Sequence, residues 1–262
     1  MAQLQLRPLD VGEILAASLT VYRRRWKTLV AVAGVLILPY AVFYLILAEP
    51  PPEISPIPTN DEVGELLSAM APWLVIRLFI VTILFAAVIR TVVETYVGME
   101  STWRQTAAAA ISRMPSLAIV TILFWGAVTL GSALLVAPGI FVLVCLSACL
   151  PVLMIEGVDP FQALARSWRM TSGRRWHVFG VLMLSSLLVL ITSTVAYVAL
   201  GAVLIRLQGE FGLLLASELS WVVVQPFIGV ALGVMYLDLR VRKEDLDTDW
   251  LSLQLSATSF DQ

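Results

Sequence analysis

Six long apolar runs constrain this chain more than any other feature: Thr28 to Ala48, Trp73 to Tyr96, Ser116 to Ala137, Gly139 to Ile155, His177 to Ile205 and Phe211 to Leu237. About 20 apolar residues of helix cross the hydrocarbon core of a bilayer, and lipid offers no partner for backbone polar groups, so such runs become helices. The chain is 59% apolar by AVILMFWYC and 14% charged, whereas a soluble domain carries about 25% charged residues. An ordinary soluble enzyme is thereby excluded. Two cysteines make no disulfide framework. The first run is expected to be a span and not a cleavable signal, because Asp10 and Glu13 precede it and a secretory apolar segment is about 7 to 15 residues close to the start. Between Arg113 and Glu156 no charge occurs, yet one continuous helix there would be roughly twice as long as the hydrocarbon core is thick. A tight hairpin is therefore predicted at Pro138-Gly139, since proline interrupts a helix and glycine tolerates a reversed turn.

The net charge of -2 says little until the charges are placed. Basic residues alternate by segment. Arg7, Arg23, Arg24, Arg25 and Lys27 precede the first run, Arg104 and Arg113 follow the second, Arg166, Arg169, Arg174 and Arg175 follow the fourth, and Arg240, Arg242 and Lys243 follow the sixth. The other side holds Arg206 alone, and Arg77 and Arg90 lie inside the second run. Basic residues concentrate on the cytoplasmic side of membrane proteins, so both termini are expected there. The acidic, proline-rich Glu49 to Pro72 segment is expected to be an extended external loop.

The basic segments share a plan. Each opens with a polar residue followed three later by Glu or Gln, a helix-capping pattern: Asp10/Glu13, Thr102/Gln105 and Asp159/Gln162. Pro160 stands at a first helical position, where proline is tolerated. Apolar residues then recur at helical spacing (Val11, Ile14, Leu15, Leu19 and Tyr22; Trp103, Ala107, Ala110, Ile111 and Met114; Phe161, Leu164, Ala165 and Trp168), and a basic residue precedes the next run. The expected architecture is all-α and polytopic, a single membrane domain of six transmembrane helices. It is built from three parallel repeats of an interfacial helix plus a helical hairpin, over approximately 9–97, 101–156 and 158–238, with a cytoplasmic tail at 239–262.

Three stretches carry a family resemblance: Arg7-Pro8-Leu9-Asp10-Val11-Gly12-Glu13-Ile14-Leu15 with Tyr22-Arg23-Arg24-Arg25-Trp26, then Glu156-Gly157 with Ala163-Leu164-Ala165-Arg166-Ser167-Trp168, and Tyr236-Leu237-Asp238-Leu239-Arg240-Val241-Arg242-Lys243-Glu244. The chain resembles the bacterial glycerophosphoryl diester phosphodiesterase membrane-domain family and related six-span proteins over nearly its whole length. In some members of that family this domain precedes a catalytic barrel that needs a pair of histidines and several carboxylates to hold a metal. This sequence has one histidine and ends soon after Glu244, so the resemblance implies membrane architecture and not phosphodiesterase activity.

Motifs that carry chemistry are absent: there is no metal-ligand spacing, no phosphate-binding glycine loop, no GxSxG and no HExxH. Asp245, Asp247 and Asp249 begin like a calcium loop, but Trp250 and Ser256 stand where Gly and Glu are required. Cys145 and Cys149 share a helical face and read as packing, His177 beside Trp176 reads as an interfacial anchor, and Gly229-x-x-x-Gly233 as a close helix contact. Charges at membrane depth cost a few kcal/mol each and face protein or water. Arg90 and Glu94 are spaced for a pair on one helix, and Arg77 and Glu218 lie at similar depths on two, so both pairs are expected to meet.

The function expected is non-enzymatic: a scaffold or accessory component of bacterial envelope and lipid processes in the inner (plasma) membrane, needing no cofactor and binding no nucleic acid. It would contact anionic lipid of the cytoplasmic leaflet through Arg23, Arg24, Arg25, Arg166, Arg169, Arg174 and Arg175, with room for a membrane-protein partner. The alternatives are a lipid or small-solute translocator with a pathway lined by Arg77, Glu218 and Gln225, and an intramembrane enzyme, for which no nucleophile and base pair up.

Overall fold

A computed structural model describes residues 7–47, 59–99 and 101–244. Among these the chain forms ten helices and no strand: α1 Val11–Leu47, α2 Asn60–Val97, α3 Trp103–Ile111, α4 Met114–Leu134, α5 Val136–Leu146, α6 Cys149–Glu156, α7 Pro160–Thr171, α8 Arg175–Gln208, α9 Glu210–Val224 and α10 Pro226–Glu244. Six helical stretches are long and apolar enough to cross a membrane: Val11–Leu47, Asn60–Val97, Met114–Leu134, Val136–Glu156, Arg175–Leu207 and Phe211–Glu244.

Hydropathy alone did not distinguish the centre from the rim. The sixth stretch has 89% of its apolar window buried and the fifth only 11%, so α10 is the axis around which α1, α2 and α8 pack, and α8 is peripheral. Glycine makes the axial contact close. A Cβ on Gly229 would lie 2.9 Å from Val88 Cγ1, and one on Gly233 3.1 Å from Val92 Cβ, so α10 meets α2 backbone to side chain over two turns.

Five expectations are corrected. The hairpin between the third and fourth runs turns at Leu135, whose extended backbone (φ −166°, ψ 152°) separates α4 from α5, and Pro138-Gly139 lies inside α5. Proline in a first turn sacrifices an amide that has no helical partner, so here it starts a helix where it was expected to end one. Gly139 then packs on α4, where its added Cβ would lie 1.9 Å from Ser132 Oγ. The fourth run is broken at Ser147-Ala148 into α5 and α6, because Pro151 lacks an amide and its ring conflicts with the carbonyl four residues back. The sixth is likewise divided at Gln225 before Pro226.

The segment before the first span does form a helix of its own within α1, joined to the span through a kink at the non-helical Arg25 (φ −115°, ψ 15°). Helix α2 begins at Asn60, where Thr59 accepts from the Glu62 amide and Glu62 Oε2 accepts from the Thr59 amide, a capping box inside the segment expected to be an extended loop. The expected tail from 239 is helical to Glu244, with Leu239 and Arg240 buried; residues 48–58 and the Asp245 to Asp249 motif lie outside the described residues.

The three basic helices start as their caps require. Glu13 Oε2 accepts from the Asp10 amide at 2.9 Å, Thr102 and Gln105 form a complete capping box, and Asp159 Oδ1 accepts from the amides of Phe161 and Gln162 at 3.0 and 3.1 Å. Their buried faces are formed chiefly by small residues: Ser18 with Ile14 and Val21 on α1, Thr106, Ala107, Ala109 and Ala110 on α3, Ala163 and Ser167 with Met170 on α7. Small side chains let helix backbones approach closely. Several larger residues of the expected stripes, Leu19, Ile111, Phe161 and Trp168, are exposed instead.

Candidate functional site

A dense polar constellation forms where α6, α7 and α10 meet. Glu156 ends α6, and its Oε2 accepts from Arg166 Nε of α7 at 2.8 Å, while its Oε1 accepts from the Tyr236 hydroxyl at 3.0 Å. Arg166 also donates to Glu244 of α10. Arg240 donates to Glu244 Oε2 through Nε at 2.9 Å and to the Tyr236 hydroxyl at 3.1 Å. Burial alone would lower the Arg166 pKa, but the hydrogen bonds and charges of Glu156 and Glu244 outweigh it and hold the guanidinium above its ordinary value. Two carboxylates, two guanidiniums and a phenol thus tie three helices together.

One turn away on α10, Asp238 anchors the start of the chain. Its buried carboxylate accepts the Leu9 amide at 2.7 Å and Arg242 Nε at 3.0 Å from both oxygens, and Arg242 returns a bond to the Leu9 carbonyl at 2.7 Å. His177 Nε2 lies 3.2 Å from Asp238 Oδ2 without hydrogen-bond geometry. The reading of His177 as a bilayer anchor thereby gains a protein contact. Lys243 donates to the carbonyls of Arg169 and Ser172 at 2.6 and 3.0 Å, fastening the end of α7.

The two clusters consist of the residues that carry the family resemblance: Leu9, Glu156, Arg166, Tyr236, Asp238, Arg240, Arg242 and Glu244, far apart in sequence and adjacent in space. Of these residues the sequence marks Arg166 alone as a site residue, and then for lipid. The pairs Tyr236/Arg240, Asp238/Arg242 and Arg240/Glu244 all have the four-residue helical spacing that could have revealed the cluster.

The expected intramembrane charges occupy two further places. Arg90 Nε donates to Glu94 Oε1 at 3.0 Å, and Glu94 also accepts from the Ser101 hydroxyl, so the α2 end is tied to the approach to α3. Arg77 Nη1 donates to Glu218 Oε1 at 3.0 Å, with the guanidinium 5.1 Å from the Trp221 ring centre and 5.7 Å from that of Tyr40. Glu218 Oε2 and Gln225 Oε1 are buried without a partner.

Of the seven arginines expected at lipid, three are engaged by protein. Arg25 donates to Thr95 Oγ1 at 3.3 Å and to the Met99 carbonyl, Arg166 belongs to the cluster above, and Arg175 stacks on Phe141 and Trp168. Arg23, Arg24, Arg169 and Arg174 are exposed.

The break in the fourth run is repaired by α7. Ser167 Oγ accepts the Ala148 amide at 3.1 Å and donates to the Cys145 carbonyl at 2.9 Å, and Thr171 Oγ1 donates to the same carbonyl at 3.2 Å. Irregular backbone at membrane depth is tolerated where protein groups satisfy it. Cys145 and Cys149 flank the break, and both are buried.

Three cavities accompany these features. An apolar one of about 790 Å³ lies between α5 and the start of α8, a polar one of about 390 Å³ lies beside Arg90, Glu94, Ser101 and Gln105, and one of about 260 Å³ lies inside the bundle by Thr82, Thr121, Ser147 and Ser186. None of the three is lined by Arg77, Glu218 or Gln225. Among the described residues no group of three His, Cys, Asp or Glu side chains is placed to hold a metal ion. No protein-family model, curated protein or solved structure matches this chain.

Proposed function

We propose that the protein is a non-enzymatic scaffold or accessory component of a bacterial plasma membrane, crossing it six times with both termini in the cytoplasm and holding anionic lipid at its cytoplasmic face. The observation that carries this is the division of labour at the basic end. The carboxylates Glu156, Asp238 and Glu244 are engaged by neighbouring protein groups, while Arg23, Arg24, Arg169 and Arg174 remain exposed beside exposed Trp26, Trp168 and Trp176. Bases near an anionic leaflet gain about 1 kcal/mol each, and indole rings favour the headgroup level.

The three-repeat organisation belongs to the same proposal, as does membership of the family the sequence resembles. Its support is the joint between each basic helix and the span that follows. Arg25, Arg113 and Arg174 have nearly the same backbone conformation, with φ between −130° and −98° and ψ between 14° and 19°. Arg25 and Arg113 each reach a carbonyl at the C-terminal end of the hairpin in their own unit, Met99 after α2 and Leu153 in the last turn of α6. Helix C-termini present unpaired carbonyls and a partial negative charge, which a guanidinium complements.

The test is lipid retention in detergent, read by native mass spectrometry. Wild type is expected to keep phosphatidylglycerol over phosphatidylcholine, and the quadruple change Arg23→Gln, Arg24→Gln, Arg169→Gln, Arg174→Gln to reduce that preference at least tenfold; equal retention of the two lipids by wild type would defeat the proposal. A translocator is the second reading, favoured by one observation: the 260 Å³ cavity adjoins the broken fourth helix, and broken helices near the midplane form transporter sites. Lipid scrambling or solute uptake by the protein in liposomes would select it.

A further inference from the structure

The largest of the three cavities has the chemistry of an amphiphile site. Its walls are apolar along α5 and α8, from Ile140, Phe141, Val144 and Phe179, and its other end holds Arg174 and Arg175 with no carboxylate among the lining residues. At about 790 Å³ it is in the size range of small-molecule sites.

Arg175 is built into this wall. Its guanidinium lies 4.7 Å from the ring centre of Phe141 and 5.1 Å from that of Trp168, and its Nε is buried without a hydrogen-bond partner. A buried donor on a charged group is costly to leave without an acceptor, so the position favours an anion. Helix α8 adds further donors. No side chain caps it, and its first helical bond runs from the Val178 amide to the Arg174 carbonyl, leaving the amides of Arg175, Trp176 and His177 without helical acceptors. Uncapped helix N-termini bind phosphate groups through such amides.

The other two joints are closed by comparison. Arg25 and Arg113 donate to protein carbonyls, whereas Arg174 is exposed. Trp176, 85% exposed, stands at the edge of the cavity.

We propose that this cavity seats one anionic phospholipid, its phosphate at Arg174, Arg175 and the first amides of α8, its acyl chain along Ile140, Phe141 and Val144. The proposal rests on the anionic-lipid function above and narrows it to a single bound molecule.

The experiment titrates the full-length, delipidated protein with phosphatidylglycerol and, separately, phosphatidylcholine, counting bound lipid by native mass spectrometry and checking the fold of each variant by thermal melting. One tightly held phosphatidylglycerol is expected. Ile140→Trp, which fills the chain slot without touching charge, and Arg175→Gln should each weaken it at least tenfold, while Arg23→Gln with Arg24→Gln should leave it unchanged. If Ile140→Trp does not fold, Ala137→Phe is read in its place. Retention by the cavity variants together with loss in the Arg23/Arg24 variant would overturn the site and leave the broader lipid function standing. Equal binding of both lipids by wild type would overturn both.

Discussion

Replacing Asp238 by Ala should destabilise the protein more than any other single change at the basic end. The side chain is fully buried (0% exposed) and is the acceptor for the Leu9 amide and for Arg242. Removing one member of a buried pair costs about 3–5 kcal/mol because the remaining charge is uncompensated. Arg242 is 15% exposed and keeps its bond to the Leu9 carbonyl, which places the expected loss near the lower limit, about 3 kcal/mol. The orphaned Leu9 amide is part of that figure and not an addition to it, since the contacts share partners. The double change Asp238→Ala with Arg242→Met removes the stranded charge, so it should cost less than the sum of the two single changes by about 1–3 kcal/mol. The assay is reversible unfolding in mixed micelles of a mild detergent and dodecyl sulfate, followed by circular dichroism. A loss below about 1 kcal/mol for Asp238→Ala, or additive single and double effects, would refute the view that α10 and the start of the chain are clamped together through this carboxylate.

Four further substitutions test three separate contacts. Arg77→Ala and Glu218→Ala should each destabilise by about 1–3 kcal/mol, partial exposure (29% and 17%) reducing the fully buried cost, and a double-mutant cycle in the same assay should give a coupling above about 0.5 kcal/mol. Ser167→Ala strips a partner from both the Ala148 amide and the Cys145 carbonyl at the break between α5 and α6, and should cost about 1–3 kcal/mol, with faster amide exchange at Ala148. Gly229→Val drives a branched side chain into Val88, and a loss of about 1–3 kcal/mol or more in the same unfolding assay is expected.

The sequence made the helical class and the approximate extent of the apolar runs legible because both follow from hydropathy. It also made the caps at Asp10, Thr102 and Asp159 legible, because capping needs only local residue types. What it concealed depends on context. Pro138 and Pro151 each stand third in their helices, α5 and α6, so each break falls a few residues ahead of its proline, at Leu135 and at Ser147-Ala148, where no local residue type marks it. The α2 start at Asn60 was readable from Thr59 and Glu62 but was masked by the neighbouring prolines. In lipid-exposed and protein-buried helices alike apolar residues run all round, so nothing in hydropathy marked α10 as the axis and α8 as the rim. The polar cluster was half visible: its helical pairs on α10 have the required spacing, whereas their convergence with Glu156, Arg166 and Leu9 needed the fold.

The proposed topology puts the basic end in the cytoplasm and the Asn60 end outside. With Cys145 and Cys149 replaced by Ala, single cysteines at Asn60→Cys and Ser172→Cys, both exposed in the structure, are treated in intact cells with a membrane-impermeant thiol reagent. Labelling of the cysteine at 60 from outside, and of the cysteine at 172 only after permeabilisation, is predicted; labelling of 172 in intact cells with protection of 60, or equal labelling of both, would contradict it.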